Sequence, residues 1–566
     1  MKKRILLSCC LLILCMTSQA QFVITKQNGD ELTRVNKTNL SFTYLAGQWR
    51  YGTTPVSQLG TISLLPMEER LQNYVAPTDD DYYVSFSGWN SRSKWNLANV
   101  HDPSVMRAED GYYYMYQTDA GYGNPIDGHG HFLCRRSRDL VSWQVMGTTM
   151  PELPSWVEPK LNEIRAAMGL PASTADLSKC GYWAPCVRKV RDGLYRMYYV
   201  ITIDGTINGE DTWGERAFIG LMETATPWEV GSWEDKGYVI TNYSDKGLNY
   251  QVGEGDYWQQ CYFKYNAIDP TYIITEDGEH WLAYGSWHSG FAAVQLNAET
   301  GMPLHELGNP WGDENAANYG VRIATRMDGN RWQGSEAPEI IYHDGWYYLF
   351  MAYDELSVAY NTRVARSQNI TGPYVGINGA DITAGADALP LVTHPYQFDN
   401  SPGWVGISHC AVFDDGNGNW FFSSQGRLPE GVNDNPYSNA LMMGQVRRII
   451  WTENGWPVVL PERYGAVPQV PITEEELIGE WENIQLSYDY QQMNTSQTIT
   501  LKDDHKVQGG PFSSQRWSFD AEKNILTIGS AKLYLAREVD WEASPRKTTI
   551  VYGGYTTTRT YWGKKK

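Results

Sequence analysis

Two aspartates and a histidine stand at matching places in a motif that this chain repeats five times, and a glutamate stands one residue before the same place in a fourth copy. The copies read DPSVMRAEDGYYYMY from Asp102, APCVRKVRDGLYRMYY from Ala184, DPTYIITEDGEHWLAY from Asp269, APEIIYHDGWYYLF from Ala337 and HCAVFDDGNGNWFF from His409. One residue upstream of these heads stand His101, Trp183, Ile268, Glu336 and Ser408. Carboxylates gathered in this way could cut a glycosidic bond with inversion. One carboxylate activates water while one carboxylic acid protonates the leaving oxygen, with roughly 6.5–9.5 Å between them so that water fits. A third negative charge raises the pKa of whichever group ionises last, which keeps the acid protonated. Asp102, Asp269 and Glu336 suit those three jobs. A lone Asp-Pro is ordinary turn chemistry; the shared register is what makes a functional cluster. Glu339 competes with Glu336, but strand alternation sets it on the opposite side, facing the neighbouring blade.

The elements that position these residues follow from the same repeat. Each copy is a head residue, a short strand, a Gly turn and an aromatic strand. Counted from Val105, Val187, Tyr272, Ile340 and Val412, the turn glycines Gly111, Gly193, Gly278, Gly345 and Gly418 fall six, six, six, five and six residues later. Each follows Asp or Asn, as a tight hairpin with positive φ requires. Successive heads lie 68 to 85 residues apart, room for one four-stranded antiparallel sheet with its loops. Five such sheets predict a five-bladed β-propeller, whose first strands line the channel and bring the heads to one mouth. Trp183 there offers a flat face to a sugar ring, and Asn266, Ser286 and Trp287 are further candidates for substrate binding. His409 is either a channel-lining histidine or a metal ligand.

The 566 residues predict more than one domain, and an aromatic content of 13%, with 23 Trp and 38 Tyr, promises ample apolar burial. A formal charge of −19 disfavours nucleic acid, anionic membranes and polyuronates, so a neutral partner is expected. Residues 1–20 read as a signal peptide cleaved before Gln21, placing the mature protein in the periplasm or at the cell surface. No later stretch has the ~18 apolar residues of a membrane span. Residues 21–85 form a small β-rich segment, 86–462 the propeller, and 472–566 a separate β-barrel or sandwich. The fold class is all-β. The stretch PELPSWVEPKLNEIRAAMG predicts one short helix between the first two copies. Of eight cysteines five lie outside the leader, and buried thiols are favoured over a Cys180–Cys186 bridge. The sequence sets no oligomeric state.

At VHDPSV, GYWAPCV, YNAIDPTY, AYGSWHSG and GSEAPEI the chain resembles glycoside hydrolase family 43, specifically its endo-acting α-1,5-L-arabinanases. The resemblance spans the propeller. It implies inverting hydrolysis of arabinan, a neutral plant polysaccharide, with Asp102 as general base, Asp269 as pKa modulator and orienter, and Glu336 as general acid. It also implies one calcium-type ion near His409 and no organic cofactor. The C-terminal segment from GEW to YWGKKK is similar to the small β domain appended to the extracellular arabinanases. Cys186 departs from the pattern, standing where the family commonly has an acid. Two other readings are an exo-acting α-L-arabinofuranosidase or β-xylosidase on the same scaffold, and a non-catalytic glycan-binding propeller.

Overall fold

The computed structural model describes residues 21–36, 40–45, 47–78, 88–119, 126–203, 216–243, 264–311, 313–326, 334–432 and 442–566. The leader, Cys261 and the expected boundary near residue 85 lie outside these ranges. Among the described residues no helix is long and apolar enough to cross a membrane.

Five antiparallel sheets follow one another along the chain, and each begins with one copy of the motif. Their first strands are Ser104–Arg107, Gly181–Arg191, Thr271–Ile274, Ser335–His343 and Ala411–Asp414. Each of these strands touches the next, and the last touches the first, so the sheets close into a ring. The apolar cores lie between sheets rather than within them. Tyr114 and Tyr116 meet Tyr195 and Tyr199 across the first seam, and Val105 and Met115 meet Phe413 and Phe421 across the closing one. This use explains the aromatic content, since burying each large side chain contributes about 1.5–3 kcal/mol. The five turn glycines all take positive φ, between 70° and 88°.

A layer of hydrogen bonds ties neighbouring blades together two residues below the heads. Ser104 Oγ accepts the N–H of Val187 (2.9 Å), Cys186 Sγ that of Tyr272 (3.3 Å), Thr271 Oγ1 that of Ile340 (3.2 Å) and Glu339 Oε1 that of Val412 (3.0 Å). The fifth position is Ala411, which has no side-chain acceptor. Cys186 is the weakest acceptor in this layer, since a thiol sulfur accepts less strongly than oxygen. It forms no disulfide, and Cys134, Cys180, Cys186 and Cys410 are all thiols.

The fourth sheet departs from the expected four strands, for it has three: Ser335–His343, Trp346–Tyr353 and Asn361–Ser367. The following stretch, TGPYVGINGADITAGADALP, is rich in Gly and Pro, which weaken a ladder or lack its donor. Isolated bridges Arg366–Val375 and Thr362–Thr393 cover the edge instead. The predicted helix is Val157–Ala167.

C-terminal to the ring, eight antiparallel strands from Gly479–Leu486 to Thr560–Lys565 form one sheet, and a bridge between Lys506 and Arg516 joins its two edges into a barrel-like wall. This barrel grips the propeller. Tyr396–Gln397 pairs with Asn494–Thr495, Trp562 Nε1 donates to Val459 O (2.8 Å), and the buried Lys564 ammonium of the barrel meets Glu462 (2.9 Å) beside Asp540 and Glu542. At the N-terminus, Gln21–Lys26, Glu31–Asn36 and Leu59–Leu64 make a three-stranded sheet.

Candidate active site

The five heads share a backbone state that their sequences do not announce. Asp102, Ala184, Asp269, Ala337 and His409 all have positive φ, between 29° and 56°. A non-glycine residue held there costs on the order of 1–3 kcal/mol, and persists only where its surroundings fix it. Here the surroundings are hydrogen bonds to the heads. Ala184 N–H donates to Thr118 Oγ1 (2.7 Å), Ala337 N–H to Asp269 Oδ2 (3.0 Å) and Asp102 N–H to Gln425 Oε1 (2.6 Å). The strained turn points each head, or the residue before it, into the mouth.

Asp102 is nearly enclosed. His101 Nδ1 and His409 Nδ1 lie 2.9 Å from its Oδ2 and Oδ1, and Thr118 Oγ1 donates to Oδ2 at 2.6 Å. Burial by itself would raise its pKa, but His101 and His409 outweigh that and hold the carboxyl well below the usual range. His409 is the reciprocal case. Burial opposes its cation, yet Asp102, Asp269 and Glu336 together lift its pKa to about 9.

Glu336 faces the opposite electrostatics. Burial is the largest influence and raises its pKa, opposed by the Tyr360 hydroxyl, His409 and the Trp287 indole and reinforced by Asp102. Trp287 Nε1 and Ser286 Oγ both donate to Oε2, at 2.9 and 3.2 Å. An indole N–H can only donate, so Oε2 must accept and an acid proton belongs on Oε1. Ser286 and Trp287, expected as substrate contacts, therefore direct their polar atoms at Glu336. The Trp287 ring also lies where a Cβ on Gly334 would be, 2.1 Å from the nearest ring atom, so only Gly at 334 lets it reach the acid. Burial likewise pushes Asp269 up, to about 7, with His409 opposing and Glu336 and Asp102 adding. Asp269 and Glu336 form an interacting pair, whose last proton leaves against the partner's charge.

Glu339 corrects the alternation argument. Its cross-strand partner is Phe350 and that of Glu336 is Ala352, so a β-bulge at Ala337-Pro338 adds one residue and returns both glutamates to the same face. Glu339 lies on the channel face with Glu336, and from there it bonds both neighbouring blades. Both its oxygens are 2.6 Å from Arg188 Nη2, and Thr271 Oγ1 donates to Oε2 (3.1 Å). Trp183 is half-buried beside the head Ala184, with its indole folded over Gly181. Asn266 is buried, and among the described residues nothing donates to its Oδ1. Thr118, Tyr360 and Gln425 escaped the sequence reading. Thr118 and Gln425, like Ser286, lie at the exit of a second strand, opposite a head, and that position was the available signal.

The donor set at His409 does not by itself make a calcium site. Its Nδ1 is engaged by Asp102, and calcium prefers oxygen ligands. Among the described residues no third His, Cys, Asp or Glu donor atom converges with these two; such a convergence occurs at Glu462, Asp540 and Glu542, where Lys564 already sits.

Comparison with known proteins places these features in a family. Residues 97–457 match the family model for Glycosyl hydrolases family 43, and residues 461–563 match a C-terminal lipocalin-like domain found with it. An extracellular endo-α-(1→5)-L-arabinanase of Thermotoga petrophila is 24% identical over 496 residues, covering 83% of this chain and 90% of the relative. A second, from Bacillus subtilis, is 23% identical over 492 residues, covering 82% and 93%. The crystal structure of an endo-1,5-α-L-arabinanase from Thermotoga petrophila RKU-1 superposes with a TM-score of 0.63 at 22% identity, over 83% of this chain and 99% of that one. That likeness establishes the shared fold.

Proposed function

The chain belongs to glycosyl hydrolase family 43, and from that premise we propose that it is an exported enzyme hydrolysing internal α-1,5-L-arabinofuranosidic bonds of arabinan by a single inverting displacement. The observation that carries this reading is the split between two carboxyls at one mouth: Asp102 is held ionised between two histidines, while Glu336 is pushed toward its protonated form. Opposed environments of this kind assign base and acid. The extracellular arabinanases that match most of the chain support both the substrate and the export. The chemistry falls to residues 86–462, flanked by a small β-rich segment at 21–85 and a barrel-like domain at 472–566.

In this scheme Asp102 takes a proton from a water molecule, whose oxygen attacks the anomeric carbon from the face opposite the leaving group. Glu336 gives its Oε1 proton to the departing glycosidic oxygen. Asp269 acts twice, accepting the N–H of Ala337, the residue after Glu336, and placing a charge near the acid. Trp183 provides a ring face for a furanose, and the Asn266 Oδ1 acceptor suits a sugar hydroxyl, because leaving a buried acceptor unbonded costs about 1–3 kcal/mol. The reaction needs only protons and water.

Asp269→Asn removes a negative charge against which the last proton of the pair must leave. Glu336 then ionises more easily, and the alkaline limb of the kcat/KM profile moves to lower pH while residual activity persists. An unmoved limb in an active variant would remove Asp269 from the modulating role.

A calcium-type ion at His409 would rest mostly on water, given the donor set, and no step depends on it. Elemental analysis of extensively dialysed protein is expected to find about one ion per chain, lost in His409→Ala. Equal retention by both proteins would place the ion elsewhere. The substrate assignment is tested by product profiles on linear arabinan, debranched arabinan and xylo-oligosaccharides. Early mixtures of arabino-oligosaccharides are expected; arabinose alone from chain ends, or xylose, would favour the exo-acting alternatives.

A further inference from the structure

Building on Glu336 as the acid, we propose that the C-terminal barrel takes part in the reaction: its segment 487–493 holds the propeller loop from Asp354 to Tyr360, and through Tyr360 it positions the proton-donating carboxyl.

The connection is continuous. Tyr360 is fully buried and packs with Ala337 and Ala352, the residue after Glu336 and the cross-strand partner of Glu336. Five residues earlier in the same loop, Glu355 Oε1 receives Tyr490 Oη at 2.7 Å and Gln491 Nε2 at 3.2 Å, both from the barrel, and Ser357 Oγ at 3.1 Å from the loop itself. The other end of the loop is fastened to the strand that carries the acid. Asp354 N–H donates to Gly334 O (3.1 Å), two residues before Glu336, and Arg326 Nη1 bridges Asp354 Oδ1 (2.5 Å) and Gly334 O (3.2 Å). Tyr488 of the barrel segment covers this network, with Arg363 5.2 Å and Arg326 6.0 Å from its ring centroid and His394 edge-on at 6.4 Å.

Two features make this more than surface contact. The loop departs from Asp354 in the left-handed region, φ 68°, which a non-glycine residue holds only under external support. The barrel segment is itself fixed, because Asn494 N–H donates to Pro395 O (2.9 Å) where Tyr396–Gln397 pairs with Asn494–Thr495. A general acid must be held within a fraction of an ångström of its productive position beside the leaving oxygen. Trp287 and Ser286 fix Oε2, while Tyr360 adds a third restraint whose own placement depends on the barrel.

The test uses full-length variants Tyr360→Leu, Gln491→Ala and the pair Tyr490→Phe with Gln491→Ala, each checked for native circular dichroism. Each is assayed on an α-1,5-arabino-oligosaccharide and on the corresponding 2,4-dinitrophenyl glycoside, whose leaving group departs without a proton. The expected result is a kcat loss of about three- to tenfold on the natural linkage, the size of one misplaced hydrogen bond, with KM within roughly twofold and turnover of the dinitrophenyl substrate unchanged. Lys506→Ala, an exposed change elsewhere on the barrel, should keep full activity. Unchanged kcat in the folded Tyr490/Gln491 variants would overturn the proposal, as would equal losses on both substrates, which mark general structural damage. Failure of the underlying reading looks different: Glu336→Gln would then lose no more on the natural linkage than on the dinitrophenyl glycoside.

Discussion

Asp102→Asn is expected to lower turnover of arabinan by roughly 10²–10⁴-fold, and Glu336→Gln to do the same, the range lost when a general base or acid is removed. Both changes keep the shape of the side chain, so the fold survives. In Asp102→Asn the amide oxygen could still receive Thr118 Oγ1, but the side chain carries no charge to draw a proton from water. In Glu336→Gln the amide oxygen could still receive Trp287 Nε1, but the side chain has no acidic proton to give. Steady-state assays on linear arabinan measure both losses, and near-normal turnover in either folded variant would take that residue out of its role.

Glu339→Ala is expected to cost the propeller roughly 3 kcal/mol, near the lower end for breaking a buried ion pair because Arg188 is partly open to solvent. Bonds to three partners vanish at once, to Arg188, Thr271 and Val412, which belong to the second, third and fifth sheets. One side chain therefore ties together strands that are remote in sequence. Tryptophan fluorescence in urea should show an earlier transition for this variant, with Glu339→Gln intermediate because its single amide oxygen still accepts from Val412 or from Thr271, though not from both. An unmoved transition in Glu339→Ala would mean that the ring is held by its inter-sheet cores alone.

The repeat made the framework of this molecule legible. Five heads, five Asp-Gly or Asn-Gly hairpins and a shared register foretold the sheets and their order and singled out three acids as candidates, because a repeated register is a long-range signal written locally. What stayed hidden depends on backbone states that side-chain identity does not encode. The left-handed heads Asp102, Ala184 and Ala337 are held by bonds from other blades. The bulge at Ala337-Pro338 reverses the expected facing of Glu339, and simple alternation has no term for an added residue. Thr118 and Tyr360 reach the acids from exits and loops whose residues look like ordinary turn chemistry. The fourth sheet lost its outer strand to a Gly- and Pro-rich stretch that could have warned of it. The grip of the barrel on the Asp354–Tyr360 loop joins residues about 135 positions apart, a distance at which pattern alone carries nothing.

The central claim is a single displacement with Asp102 acting through water, and the configuration of the first-formed sugar tests it most directly. Proton NMR during the opening minutes of linear α-1,5-arabinan hydrolysis should show the new reducing end as the β anomer, followed by slower mutarotation. Initial α product would mean a covalent double displacement and would contradict the assignment of Asp102 as a base.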